Sequence, residues 1–337
     1  MDKQRFKELT GNYRRLKVAV IGDFCLDRYL EIDPRKAEVS IETGLPVHNV
    51  VRVRPQPGGA GTIVNNLVAL GIAEIYPVGF CGEDGEGYEL QRALGKPRSV
   101  CLDYFFATPM RRTFTYCKPL LLQPGVPPKE LNRLDSKNWT PTPAALSRKI
   151  ANAIRPLARR VDAIIVLEQV DRANTGVVTT ALLKTLAGIT RTNPALPIVA
   201  DSRRGLRHFP PLIFKMNTTE LGKMSRTSGQ IQTEQIKANL GSFAKRQGRA
   251  VYVTAAEAGM MGATPDGRVE HVPALPLRGP IDIVGAGDSV TANLASALAA
   301  GASLRESMEL ANAAASVVIH KLGTTGTAAL PEIKPLI

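Results

Sequence analysis

Ile281-Asp282-Ile283-Val284-Gly285-Ala286-Gly287-Asp288 runs directly into an alanine-rich segment that reaches Ala300. A flexible turn of small residues thus opens straight into a helix. The backbone N–H groups of such a turn, with the helix N-terminus behind them, make an anion site. Asp288 stands in the first turn of that helix. It can serve there as an N-terminal cap. It can equally take a proton from an alcohol while the anion site holds a phosphoryl group.

Outward from this stretch, apolar runs of strand length alternate with longer helix-like segments. Strands are expected at 17–21, 75–78, 163–167, 197–200, 250–254 and 260–263. Helices are expected at 62–70, 86–93, 143–160, 174–186, 233–246, 288–300 and 304–321. Thr142-Pro143 offers a cap followed by proline at the first helical position, and Ser303 can cap the last long helix. This βαβα order predicts an α/β fold with a mostly parallel sheet covered by helices on both faces. Residues 38–54, rich in valine, predict a small antiparallel hairpin or flap inserted after the first strand. Residues 110–135 predict more strand plus a loop. We divide the chain into a helical extension over 1–16 and one domain over 17–330.

The chain has 337 residues, enough for a sizeable core. No run approaches the roughly 20 apolar residues of a membrane span, and no membrane partner is expected. The charged start, Met1-Asp2-Lys3-Gln4-Arg5, has no apolar core behind it and does not read as a secretory signal. Cys25, Cys81, Cys101 and Cys117 lack paired spacing, which points to reduced thiols in the cytoplasm and to no zinc site. A net charge of +13 raises nucleic acid as a partner. The basic residues are scattered in pairs such as Arg111-Arg112 and Arg203-Arg204, with no aromatic-interleaved face. Charge of that kind speaks to non-specific attraction, so no specific nucleic-acid partner is expected.

Four further groups accompany the Gly285 turn. Gly22-Asp23, with Asp27-Arg28 close behind, follows the opening strand, where open α/β sheets bind ligands; an ordinary turn would look the same. Gly58-Gly59-Ala60-Gly61-Thr62 opens a helix and lets a ligand or strand approach its backbone; it also suits a tight turn capped by Thr62. Asn217 and Glu220 are three apart after a strand-like run at 212–216. They can reach toward hydrated magnesium and phosphates, or close a capping box. Thr254 to Gly259 closes a strand, where a hydroxyl can bind a nucleotide phosphate. Asn312, on the last long helix, has alanines around it that suit either a flat ligand or close helix packing.

In this order the groups resemble the ribokinase-like, or PfkB, carbohydrate kinases over about residues 17–328. Within that family the chain is most similar to the kinase module of the bacterial heptose 7-phosphate kinase/adenylyltransferases. Val20 to Tyr29, Pro57-Gly58-Gly59-Ala60, Leu298–Gly301 and Ala311-Asn312-Ala313 through Thr324 carry that similarity. The resemblance implies a three-layer α/β/α sandwich with a small β lid at 38–54 that covers the sugar and pairs two subunits. It implies a kinase that uses ATP and Mg2+, with a monovalent cation as a further candidate, and a heptose 7-phosphate as the acceptor. Asp288 becomes the catalytic base, and Gly285, Ala286 and Gly287 the anion hole. Asn217 and Glu220 hold the magnesium–phosphate network, Thr254 and Gly259 line the nucleotide, and Asn312 lies beside the adenine. Asp23, Asp27, Gly58, Gly59 and Thr62 belong to the acceptor end, with Arg203 and Arg204 for an acceptor phosphate.

One departure lies at the catalytic turn and the others at that acceptor end. Val284 replaces the family's threonine, and Thr62 takes the place of an asparagine that holds sugar hydroxyls. Glu168-Gln169-Val170-Asp171-Arg172 stands where the heptose kinases have Asp-Tyr-x-Lys-Gly, and Asp201-Ser202-Arg203-Arg204 where they have Asp-Pro-Lys. The adenylyltransferase part of the bifunctional enzymes is expected to be absent. Two alternatives stay open: another acceptor (hexose, pentose or nucleoside), and a non-catalytic sugar- or nucleotide-binding regulator.

Overall fold

Along the first strand, β1 (Lys17–Gly22), successive side chains enter two different cores. Val18 and Val20 join one, Ala19 and Ile21 the other. The period of two in β11 (Ala163–Glu168) divides Ala163, Ile165 and Leu167 from Ile164 and Val166 in the same way. A sheet buried on both faces needs such continuous apolar strands. The computed structural model describes residues 1–225, 233–323 and 325–337.

Nine strands lie in the order β16 (Val269–Val272), β15 (Met260–Ala263), β14 (Val251–Thr254), β13 (Ile213–Asn217), β12 (Ile198–Ser202), β11, β1, β6 (Glu74–Gly82), β7 (Phe105–Thr108). The run from β14 to β7 is parallel, and β15 and β16 add an antiparallel edge. One face carries α1 (Lys3–Gly11), α2 (Ala60–Ala69), α3 (Gly85–Leu94), α8 (Ala286–Ala299) and α9 (Leu304–Ile319). The other carries α4 (Ala144–Leu157), α5 (Thr180–Thr192), α6 (Thr218–Ser225) and α7 (Thr233–Gln247). A short α10 (Leu330–Ile333) ends the fold. This is the expected three-layer sandwich. Helix α8 is buried all round from Ser289 to Ala297, which is why its residues are small. The capping box at Ser303 and Glu306 starts α9 as expected.

The lid is larger than the expected hairpin. Its main sheet is β10 (Leu134–Ser136), β8 (Thr115–Leu121), β2 (Phe24–Ile32), β5 (Val50–Gly59), with β9 (Lys129–Glu130) paired on β8. Within 38–54, β3 (Glu38–Val39) and β4 (Pro46–Val47) form only a small two-stranded extension, followed by the start of β5. The unexpected strand is β2. Its charged residues Asp27, Arg28 and Glu31 are paired with Lys118, Glu89 and Arg54, which lets a charge-rich segment stay in a sheet.

Two helix starts also differ from expectation. Thr142 does not cap α4; its hydroxyl donates to the Gly176 carbonyl, and the helix begins after Pro143 without a side-chain cap. Helix α5 starts at Thr180 rather than near Asn174. Asn174 sits at φ 61°, its side-chain oxygen accepts from the Thr180 amide, and Thr179 caps the helix. Residues 169–177 are thereby left as a loop over the end of β1.

Candidate active site

The turn before α8 is built by Gly285 at φ 83°, a left-handed conformation that side chains disfavour. A Cβ there would also press on Thr325, and Thr62 of α2 lies next to the same point. Helix α8 then starts at Ala286. The Ala286 amide is taken by the Ile283 carbonyl at 3.2 Å, so it does not belong to the free donors of the expected anion hole. The amides of Gly287 and Asp288 find no acceptor among the described residues. They are the orphan donors of a helix start.

Asp288 does not cap the helix with its side chain. The carboxylate is half-buried in the first turn of α8. Burial pushes its pKa up to about 7, against the pull of the Lys215 ammonium and with the push of the Asp201 and Asp27 carboxylates. Lys215 was not singled out in the sequence. It is buried in β13, 2.6 Å from Asp201 of β12, and Thr291 of α8 also faces Asp201. Burial pulls the lysine's pKa down, but Asp201, with Asp288 and Glu220, outweighs this and the net shift is upward. A Cβ on Gly287 would lie 3.1 Å from the Lys215 Nζ. The Lys215 charge therefore sits directly under the turn, and a side chain at Gly287 would press on it.

Asn217 and Thr254, expected at the nucleotide, are register partners at the ends of β13 and β14. Asn217 and Glu220 form a reciprocal box, each backbone N–H bound by the other's side chain at 2.8 Å. The box uses one polar atom of each. The Asn217 amide NH2 and the other Glu220 oxygen remain without partners among the described residues. Burial is the main cause of the raised Glu220 pKa, with Asp201 adding to it. Those unused ends suit a hydrated divalent cation or phosphate oxygens. The Thr254 hydroxyl makes only a long contact of 3.5 Å to the Met216 carbonyl. Gly259, at φ 85°, lets the chain at Val272–Ala274 cross directly over it; any Cβ would collide with that backbone. The amide of Asn312 holds the same crossing segment through the carbonyls of Val272 and Pro273.

The acceptor-end residues separate into two kinds. Asp27 faces the crevice from β2, 2.8 Å from Lys118 of β8, and a Cβ on Gly58 would lie 2.6 Å from its carboxylate. Gly59, at φ 57°, packs on the Asp23 carbonyl. Asp23 is turned inward. Its carboxylate accepts from the amides of Gln169, Val170 and Val177, so it ties the 169–177 loop to the end of β1. Burial pushes its pKa up to about 6, opposed by those three amides. Arg204 is given to the buried Glu168 at 2.7 Å. Arg203 reaches the Tyr116 hydroxyl at 3.4 Å across the crevice mouth. Arg111 is structural: its guanidinium serves Thr140 and the Pro141 carbonyl. All four cysteines are free thiols. Thr324 lies outside the described residues.

A model described as the pfkB family of carbohydrate kinases matches residues 165–331. The bifunctional protein HldE of Pelobacter propionicus is 30% identical over 332 residues, covering 97% of this chain and 64% of that protein. Over residues 165–331 the chain belongs to the PfkB family of carbohydrate kinases. HldE of Azorhizobium caulinodans is 31% identical, covering 91% of this chain and 61% of its own length. The chain thus spans less than two thirds of these relatives. Among solved structures, a ribokinase of Arabidopsis thaliana complexed with ribose and ATP matches with a TM-score of 0.65 at 20% identity. That match covers 95% of this chain and 98% of the other. Phosphofructokinase-2 of Escherichia coli in complex with substrates and products matches with a TM-score of 0.70 at 15% identity, with the same coverage. These likenesses carry the ribokinase-like fold. No helix among the described residues is long and apolar enough to cross a membrane.

Proposed function

We propose that this PfkB kinase transfers the γ-phosphoryl group of ATP to a hydroxyl of a sugar phosphate, with a heptose 7-phosphate as the preferred acceptor. The observation that carries this is Asp288: a carboxylate not spent on capping, with its pKa near 7, beside two free helix-start amides and a buried lysine. In this reading Asp288 takes the proton of the acceptor hydroxyl. The amides of Gly287 and Asp288, with Lys215 below them, stabilise charge on the transferring phosphoryl group. Asp27, placed by Gly58 and Lys118, orients the acceptor's hydroxyls, and Thr62 shapes the turn beside it. Mg2+ would neutralise the nucleotide's phosphates, and Asn217 and Glu220 would hold its hydration shell. Thr254 borders the same phosphates, while Gly259 and Asn312 fix the segment that flanks the nucleotide. A monovalent cation near this site remains part of the proposal, and the cytoplasm is the compartment that supplies its ATP.

The heptose preference rests on similarity to the HldE proteins, and the first test is a phosphotransfer assay across sugars and sugar phosphates. The expected result is the highest kcat/KM on a heptose 7-phosphate. Turnover confined to uncharged sugars or nucleosides would move the acceptor to that class. ATP binding without any turnover would favour the regulator.

A homodimer through the lid belongs to the same proposal. Val39, Ile41, Val50, Val51 and Val53 are all exposed there, Ile41 to 99%. Isolated apolar side chains are ordinary on a surface, but five gathered over β3, the turn after it and the start of β5 ask for a cover. Light scattering is expected to give the mass of two chains, and Ile41→Asp with Val51→Asp to give one. A single-chain mass for the unaltered protein at all working concentrations would refute the dimer.

A further inference from the structure

The strand order reverses direction of growth between β1 and β11: the chain proceeds from β1 to β6 and β7 on one side, and from β11 through β16 on the other. Open parallel sheets bind ligands in the crevice outside the strand ends at such a point. A solvent-open cleft lies there. Its walls are Phe24, Phe80, Phe114 and Trp139, and its cations are Lys137 and Arg172. The tied carboxylate of Asp23 forms part of its floor.

The charges do not cancel. Lys137 has Asp171 at 2.9 Å and Asp135 at 3.9 Å, and Asp135 is shared with Arg133. The Arg172 guanidinium stacks 5.1 Å from the Trp139 ring centre and has no carboxylate partner among the described residues. Arg203 stands close by: it contacts Tyr116, and it acts on the Asp171 carboxylate. Lys137 and Arg203 therefore act on Asp171, and Arg172 stands beside them against the aromatic wall. Aromatic faces suit the C–H face of a sugar ring, and a planar guanidinium suits a phosphate monoester.

We propose that this cleft is an acceptor subsite that binds the distal phosphate of the sugar, with Arg172 as its principal ligand and Lys137 beside it. Trp139 covers the sugar's apolar face. The inference rests on the sugar-phosphate reading above. It moves phosphate recognition from Arg203-Arg204, where the sequence suggested it, to residues from the lid edge and the 169–177 loop.

Trp139 is the single tryptophan of the chain, so its fluorescence reports this cleft without any turnover. The probes are sedoheptulose 7-phosphate, the unphosphorylated heptose and inorganic phosphate, each titrated without ATP. The sugar phosphate is expected to give a saturable change, with half-saturation at least about tenfold lower than either control. Arg172→Met and Lys137→Met are each expected to raise that half-saturation about tenfold or more and to leave the weak binding of the free heptose unaltered. Equal responses to heptose and heptose phosphate would overturn the subsite, because the anion would not be read. An equal response to inorganic phosphate would overturn it as an acceptor site. If no sugar phosphate is turned over but the selective response persists, the reaction assigned above fails and the subsite stands. If sugar phosphates are turned over and Arg172→Met and Lys137→Met change neither KM nor fluorescence, the subsite fails and the reaction stands.

Discussion

Asp288→Asn is expected to lower turnover by about 10²–10⁴, the usual cost of losing a general base, while ATP binding and folding survive. The unaltered enzyme should show kcat/KM rising with pH and levelling above about 7, where the carboxylate is ionised. Stability carries a second signature. The folded pKa is about 7 and the ordinary value 3.8, so between them the folded protein holds a proton that the unfolded chain has released. The favourable contribution of the protonated group is complete below 3.8 and lost as pH rises through about 7. An asparagine cannot lose it. Asp288→Asn should therefore gain in melting temperature over the unaltered protein as pH goes from 4.5 to 8.5, by about a few degrees. Near-normal turnover, with a melting difference that does not change with pH, would make Asp288 only a residue of the helix start.

The buried pair beneath the turn is expected to give the largest loss of stability. Lys215→Met leaves Asp201 buried without its cation, and Asp201→Leu leaves Lys215 without its anion. Breaking such a pair costs about 3–5 kcal/mol, whereas replacing both members with apolar groups is often neutral. The double variant Lys215→Met with Asp201→Leu should recover most of the stability in a denaturant titration. It should not recover activity, because the positive charge beside Gly287 is gone. Recovery of both would reduce the pair to a structural device. Equal instability of the double and single variants would mean that the site cannot repack.

The body sheet was legible because its strands are buried on both faces. Ala163–Glu168 and Val251–Thr254 read as apolar runs of strand length, and α2, α3, α4, α7, α8 and α9 lie within a few residues of their expected bounds, whereas β7, β16 and α6 were not among the expected elements. The lid was harder. In β2 the partners that neutralise Asp27, Arg28 and Glu31 come from β8, α3 and β5, and no local pattern announces them. The start of α5 was misplaced for a related reason: Asn174 bonds forward to Thr180, and Gly176 is packed on Asp23, a residue far away in the chain. At the site, the glycine turn and Asp288 were visible as a local motif. Lys215 left one signal that could have been used: a lone lysine inside an otherwise apolar strand needs a buried partner. Arg172 and Lys137 left none, since their nearness is created by the meeting of lid and loop.

The position of Asp23 sets the phase of the whole lid. Its N–H binds the Leu167 carbonyl, its own carbonyl is bound by the Ala60 amide, and its carboxylate holds three more amides. Five bonds thus fix the residue at which the chain passes from body to lid. Strand β2 begins immediately after it, and side chains alternate faces from that point. One added residue between Asp23 and Phe24 would exchange Cys25, Asp27 and Tyr29 with Leu26, Arg28 and Leu30. Asp27 would then point away from Lys118 and Gly58. The small loop between β3 and β4 meets no such constraint. A change of length here is expected to be far more disruptive than one there, because the register of the lid is counted out from a single aspartate.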